Sequence, residues 1–145
     1  MIEHVIAQWH AYLKGELPGG LDELLDEDVV FYSPIVYRPQ RGKRITSLYL
    51  QAAGQTFAGN DSISSKQDSD SRERFHYTKS VIGIDTAVLE FETTMAGKYV
   101  NGVDIIRCND KGRIIEFRVM IRPLQAVTLV HQKMAAMLES MTPQE

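Results

Sequence analysis

The sequence predicts an α+β protein in which amphipathic helices precede a run of long antiparallel strands and one further helix ends the chain. Near the N-terminus, apolar residues recur at three- and four-residue spacing, which is typical of a helix with one buried face. Over residues 75–122, apolar and polar residues alternate instead, which is typical of strands. Helical spacing returns after Pro123. Because helices and strands are segregated along the chain, we expect an antiparallel sheet with helices packed on it.

The clearest strand pattern is a hairpin over residues 99–122 with its turn at residues 109–112. The turn sequence Asn-Asp-Lys-Gly tolerates the left-handed backbone angles that a tight hairpin needs. In the first strand, Asp104 shares a face with apolar residues, namely Val100, Ile106 and Cys108. An acid on an apolar face is either an accident of a strand edge or part of a site, so Asp104 is the first candidate residue.

Shorter elements are predicted before the hairpin. The first helix ends at Gly15, and a second helix around residues 21–25 is closed by the acidic run 26–28. A strand then covers residues 29–32, and residues 35–37 form a short return strand. The third helix has a single apolar stripe made of Ile45, Leu48, Tyr49, Ala52, Ala53 and Phe57.

The remaining segments alternate between polar and patterned stretches. Residues 59–74 are almost wholly polar, which predicts a loop. Strands at 75–82 and 86–95 complete a four-stranded meander with the hairpin. The last helix runs from Pro123 to about residue 141, and its stripe must cover another surface: Val127, Val130, Met134, Met137 and Met141.

Composition limits the class of protein. The 145 residues fit one domain over residues 1–145, and the net charge of -3 argues against a nucleic-acid partner. Neither a signal-peptide pattern nor a membrane-spanning apolar run is present, and one cysteine cannot form an internal disulfide, so we expect a cytoplasmic protein with no membrane partner. The four histidines lack the spacing of a metal site, and we expect neither a metal nor a cofactor.

Three groups of residues resemble the nuclear transport factor two-like superfamily: Gly15 with the helix end at 21–28, the Tyr32-Ser33-Pro34 corner, and the stretch from Gly102 through Arg107 to Gly112-Arg113-Ile114. Within that superfamily the chain is most similar to the SnoaL-like group, which holds polyketide cyclases and ketosteroid isomerases. The resemblance covers about residues 3–122 and leaves the helix at 123–141 as an addition. It implies a cone-shaped, curved antiparallel sheet wrapped round the N-terminal helices.

The resemblance also implies a site. Asp104 matches the strand position of the protonated acid with which ketosteroid isomerases stabilise an enolate. Ser33 stands at the position of their general base, and the tyrosine that pairs with the acid falls near Gln8 or Trp9. We therefore predict Asp104 as the catalytic or anchoring residue, and we expect no competent ketosteroid isomerase because a neutral hydroxyl is a weak base.

Residues with aromatic, hydroxyl or apolar side chains are the candidates for contacting a ligand in the cone: Trp9, Tyr12, Tyr32, Ser33, Tyr49, Leu89, Phe91, Phe117 and Val119. The alternative for the aromatics is that they are plain core. The alternative for Asp104 is a structural acid whose hydrogen bonds come from Trp9, Tyr12 or Tyr49, with no chemistry.

Three hypotheses about function follow. The first is a SnoaL-like domain that binds a small apolar or carbonyl-bearing molecule, with Asp104 as its polar anchor. The second is a non-catalytic association domain that forms a homodimer through the outer sheet face, with its cavity filled by side chains. The third is an isomerase or cyclase that uses acid-base chemistry. A second acid or base beside Asp104 would favour catalysis, and a small cavity would favour association.

Overall fold

The computed structural model describes residues 1–58 and 74–141. Its elements, in chain order, are α1 (Ile2–Leu13), α2 (Gly20–Leu24), β1 (Leu25–Tyr32), β2 (Gln40–Arg41), α3 (Lys43–Ala58), β3 (His76–Ile82), β4 (Thr86–Met95), β5 (Lys98–Cys108), β6 (Ile114–Arg122) and α4 (Leu124–Met141). The predicted α+β class is confirmed. No helix in these two ranges is both long and apolar enough to cross a membrane.

The strands form one curved sheet in the order β2-β1-β6-β5-β4-β3. Strands β3 to β6 are antiparallel neighbours, as the predicted meander requires. Strand β1, however, pairs in parallel with β6, with Phe31 opposite Phe117. The sheet is therefore mixed rather than wholly antiparallel. Its order explains this, because the chain leaves β1, re-enters at the far edge as β3, and the meander then returns β6 to the side of β1.

The hairpin between β5 and β6 has the predicted turn. Gly112 has a φ of 75°, and the Asn109 side-chain oxygen accepts hydrogen bonds from the backbone N–H of Lys111 (3.0 Å) and Arg113 (3.1 Å). The Asn109 amide also donates to the Asp26 carboxylate at 2.9 Å. Asn109 thus organises the turn and attaches it to the start of β1.

Two local predictions around β1 are wrong. Strand β1 begins at Leu25, so the acidic run at 26–28 lies within the strand and does not close α2. The return strand is Gln40–Arg41 rather than residues 35–37. The Ser33 hydroxyl oxygen accepts hydrogen bonds from the backbone N–H of Ile35 and Val36, which turns the chain there and makes a strand unfavourable. The loop predicted at 59–74 lies outside the described residues except for its last position.

The core has two parts. The larger cluster packs α1 and α2 against the sheet, and its buried members include Val5, Trp9, Leu24, Leu89 and Phe117. The smaller cluster places α4 over Phe91, Met95 and Val100. Helix α4 packs on its own chain, against α3, β5 and β6. Its inward face is rotated from the predicted stripe: Ala126 and Val130 are buried, while Val127 and Met137 are half-buried.

Candidate functional site

A cavity of about 480 Å³ lies between the sheet and the helices. Its walls come from α1, α3, α4, the corner after β1, and the inward faces of β1 and β3–β6, and they are mostly aromatic and aliphatic. Among its lining residues are Trp9, His10, Lys14, Phe31, Ser33, Val36, Tyr49, Phe57, Phe75, His76, Tyr77, Phe91, Asp104, Phe117, Val119, His131 and Met134.

Asp104 lies at the centre of the sheet on β5, and its side chain faces the cavity. The two-residue periodicity of β5 puts it on the buried face with Val100 and Ile106, between Leu89 of β4 and Val119 of β6. Its exposed fraction is only 6%. The inward orientation predicted from the alternation is thus what the structure shows, and Asp104 is a buried acid on a cavity wall.

Tyr77 on β3 provides the hydrogen bond to this acid. Its hydroxyl donates to Asp104 Oδ2 at 2.6 Å, and the indole Nε1–H of Trp9 donates to the Tyr77 hydroxyl oxygen at 2.9 Å. Within residues 1–58 and 74–141, the Asp104 side chain has Tyr77 as its one hydrogen-bond partner. The three side chains form a directed chain of hydrogen bonds from α1 through β3 to β5.

Burial controls the protonation of this pair. Removal from water raises the pKa of Asp104 to about 7, and the hydrogen bond from Tyr77 opposes that rise. Burial, followed by the adjacent carboxylate, raises the pKa of Tyr77 well above its ordinary value. Near neutral pH, Tyr77 therefore keeps its proton, while Asp104 exchanges between the neutral acid and the carboxylate.

This protonation gives the pair a defined chemistry. When Asp104 is neutral, the pair holds two protons, one on the Tyr77 hydroxyl and one on the carboxyl group. One of them forms the hydrogen bond between the two side chains. The second is free to be donated to an acceptor in the cavity, such as a carbonyl oxygen. Trp9 occupies one lone pair of the tyrosine oxygen, which directs the Tyr77 proton toward Asp104. The pair is a proton donor below pH about 7 and an acceptor above it.

The structure brings most of the predicted ligand contacts to this cavity. With Asp104, the lining includes Trp9, Ser33, Tyr49, Phe91, Phe117 and Val119. Three candidates lie outside it. Tyr12 stacks on Trp9 with ring centroids 5.5 Å apart, Leu89 is fully buried in the larger core cluster, and Tyr32 packs its ring under the Arg118 guanidinium at 3.7 Å. Tyr32 follows the inward-facing Phe31, so strand alternation places it on the other face.

The partner of Asp104 is not among the residues that the sequence pattern suggested, which were Trp9, Tyr12 and Tyr49. Tyr77 comes from β3 and is 27 positions away in the chain. The sequence gives one local indication that Tyr77 faces inward, which is that it lies two residues after Phe75 in a predicted strand and so shares its face. Trp9 does not contact Asp104 through a hydrogen bond in the described structure; its indole N–H donates to the Tyr77 hydroxyl oxygen instead.

Ser33 borders the cavity, but its Oγ is held by the turn it stabilises, with the amide of Ile35 at 3.0 Å. In the described part of the lining, Asp104 is the one carboxylate, and the basic side chains are Lys14, His10, His76 and His131. His10 packs its ring edge-on to Tyr77, with centroids 5.5 Å apart. No group of three or more His, Cys, Asp or Glu side chains among the described residues is placed to hold a metal ion.

No protein-family model and no curated protein sequence matches the chain. Solved structures do. A steroid delta-isomerase from Pseudomonas aeruginosa matches with 28% identity and a TM-score of 0.80, covering 96% of this chain and 92% of that one. A nuclear transport factor two-like protein of unknown function from Mesorhizobium loti matches with 19% identity and a TM-score of 0.63, covering 84% and 91%.

A proposed isomerase of the SnoaL-like family from Agrobacterium tumefaciens matches with 12% identity and a TM-score of 0.57, covering 84% of this chain and 97% of that one. The two matches below 25% identity show similarity of fold alone. Each of the three matches covers most of both chains. These structures agree with the fold that the resemblance in the sequence implied, a curved sheet packed with N-terminal helices. The chain has the nuclear transport factor two-like fold.

Proposed function

We propose that the protein binds a small apolar molecule that carries a carbonyl group, with the carbonyl oxygen hydrogen-bonded to the Asp104–Tyr77 pair. The observation that carries the proposal is a buried acid, 6% exposed, on the wall of an otherwise mainly apolar cavity. A carboxyl group in such a place is costly when ionised, and a neutral carboxylic acid is a strong donor to a carbonyl.

The size and walls of the cavity support a ligand rather than a core filled by side chains. Its volume of about 480 Å³ falls in the range of small-molecule sites, roughly 300 to 1,000 Å³. Apolar walls with a few convergent polar groups are also the usual composition of such sites. The apolar body of the ligand would displace water from Phe57, Phe75, Phe91 and Phe117, which supplies affinity, while Asp104 and Tyr77 would fix its orientation.

A second candidate function is acid-base isomerisation of such a ketone. The observation that favours it is the pKa of Asp104, about 7, which suits a group that exchanges a proton with substrate near neutral pH. The similar structure from Pseudomonas aeruginosa is a steroid delta-isomerase. Against efficient steroid isomerisation stands Ser33 at the predicted base position, because its oxygen already accepts two backbone hydrogen bonds. We therefore rank binding first and catalysis second.

The test uses Trp9, which is the single tryptophan of the chain and donates to Tyr77. Its fluorescence is titrated with decalone and with decalin, which has the same rings without the carbonyl. We expect saturable binding of decalone, with decalin about two- to tenfold weaker because a hydrogen bond contributes about 0.5 to 1.5 kcal/mol. Equal or tighter binding of decalin would contradict the role of the pair.

Two variants test whether Asp104 and Tyr77 are the groups that bind the carbonyl of decalone. Asp104→Ala and Tyr77→Phe should lower the affinity for decalone toward that for decalin without changing the fold, as checked by circular dichroism. The matched control is Tyr99→Phe, which removes a hydroxyl bonded to Glu92 (2.7 Å) from a tyrosine that does not line the cavity. Loss of affinity in Tyr99→Phe equal to that in Tyr77→Phe would show that the hydroxyl acts through general stability and not through the ligand.

A further inference from the structure

The charges that line the cavity are arranged unevenly. Asp104 on the sheet wall is the one carboxyl group of the described lining, whereas four of the lining side chains are basic: Lys14, His10, His76 and His131. His76 is balanced by Glu92, whose carboxylate lies 3.8 Å from its Nε2. The exposed Lys14 ammonium makes no ion pair with any described residue. Among the described residues, the lining therefore has one carboxyl group on the sheet wall and, on helix α1, an exposed cation without an ion pair.

Helix α1 connects the two ends. Trp9, His10, Leu13 and Lys14 all border the cavity from this helix. Trp9 lies at the Asp104–Tyr77 end, where its indole donates to Tyr77. Lys14 lies five residues later at the helix C-terminus, which is about 7.5 Å farther along the axis.

His10 lies between the two ends. Its ring packs edge-on to Tyr77, and Lys14 follows it by four residues on the same helix face. Burial, together with the positive charge of Lys14, lowers the pKa of His10. The middle of this wall is therefore uncharged at neutral pH, and it suits the apolar body of a ligand, with Lys14 as the persistent cation. His131 of α4 adds a second basic side chain from a different wall.

We propose that the ligand is an amphipathic anion, a molecule with a carbonyl group for Asp104 and Tyr77 at one end, an apolar body, and an anionic group such as a carboxylate for Lys14 at the other. This inference rests on the proposed function and adds a substrate class to it, the keto acids of apolar skeleton. The ammonium group of Lys14 is exposed, so its main contribution is to select among apolar ketones rather than to supply most of the affinity.

The test is calorimetric titration with three rigid compounds at about pH 6, roughly one unit below the pKa of Asp104, where this carboxyl group is mostly neutral. The first is an oxocyclohexyl-benzoic acid with its keto and carboxylate groups at opposite ends of the two rings. The second is its methyl ester, which removes the negative charge. The third is cyclohexyl-benzoic acid, which removes the ketone. We expect the keto acid to bind about fivefold more tightly than the keto ester.

Lys14→Gln should remove that difference by weakening the keto acid alone, and Lys14→Glu should make the ester the better ligand. The control is Lys111→Gln, which removes the same charge from the hairpin turn near Met1, at the opposite end of α1. Equal affinities for keto acid and keto ester in the unaltered protein would overturn the anionic-ligand inference and leave the proposed function standing. Failure of all three compounds to bind, or equal binding of the acid without the ketone, would overturn the proposed function and this inference with it.

Discussion

Asp104→Asn should stabilise the protein at neutral pH and above, and it should have little effect below pH 3.8, the ordinary pKa of the carboxyl group. The substitution keeps the size of the side chain and an oxygen that accepts the hydrogen bond from the Tyr77 hydroxyl, but it removes the ability to ionise. In the unaltered protein the carboxylate must form in a site that is only 6% exposed. The asparagine variant cannot ionise in either state, so the stabilities of the two proteins should diverge only above pH 3.8, where Asp104 ionises in the unfolded chain.

The sign and magnitude follow from the pKa values. The pKa of Asp104 rises from 3.8 to about 7 on folding because of burial, so the folded state holds its proton more tightly than the unfolded state. The stability that this provides is complete below pH 3.8 and is lost as pH rises to about 7. At about 1.4 kcal/mol per unit of pKa difference, the loss is on the order of 4 kcal/mol. This is an upper value, because water entering the cavity solvates the carboxylate.

The assay is urea unfolding of both proteins across about pH 4 to 8, followed by circular dichroism. We expect the free energy of unfolding of Asp104→Asn, relative to the unaltered protein, to increase across this range and to level off above pH about 7. Asp110→Asn in the exposed hairpin turn controls for the loss of one charge. A constant difference across the range would refute the reasoning, since it would mean that Asp104 ionises as easily in the folded chain as in the unfolded one.

Three further predictions concern activity, the last helix and association. We expect no substantial turnover of a standard unsaturated ketosteroid, and weak activity in Ser33→Asp, because positioned acid-base groups contribute about a hundred- to ten-thousand-fold; efficient turnover by the unaltered protein in a spectrophotometric assay would show that a base was overlooked. Deleting the chain after Pro123 should lower the melting temperature, since α4 buries side chains worth roughly 4 to 8 kcal/mol before entropy, and an unchanged melting curve would contradict this. We expect a homodimer through the outer sheet face, where Val103, Ile105 and the 52% exposed Met120 interrupt charged residues; sedimentation that finds a monomer at micromolar concentration would remove the association hypothesis.

Much of the fold could be predicted from local patterns. Two-residue alternation in β5 and β6 specified which residues share a face, and it therefore placed Asp104 among buried apolar neighbours. The turn residues at 109–112 specified the hairpin, because only certain residues tolerate its backbone angles. These features depend on interactions between residues close in the chain, so the sequence carries them directly.

What the sequence could not specify depends on contacts between distant segments. The pairing of β1 with β6 in parallel brings together residues 86 positions apart, such as Phe31 and Phe117, and no local pattern encodes that choice. Residues 29–32 are all apolar or aromatic, so their alternation did not reveal which face is inward, and Tyr32 was assigned to the wrong side of the sheet.

The same distinction between local patterns and distant contacts applies to the candidate site. The sequence by itself determined that an acid would lie on the buried face of a central strand. Only the tertiary structure decided its partner, because Tyr77 meets Asp104 across the curved sheet and Trp9 reaches Tyr77 from α1. The raised pKa of Asp104 is likewise a tertiary property, since it comes from the exclusion of water by side chains from elements that are distant in the chain.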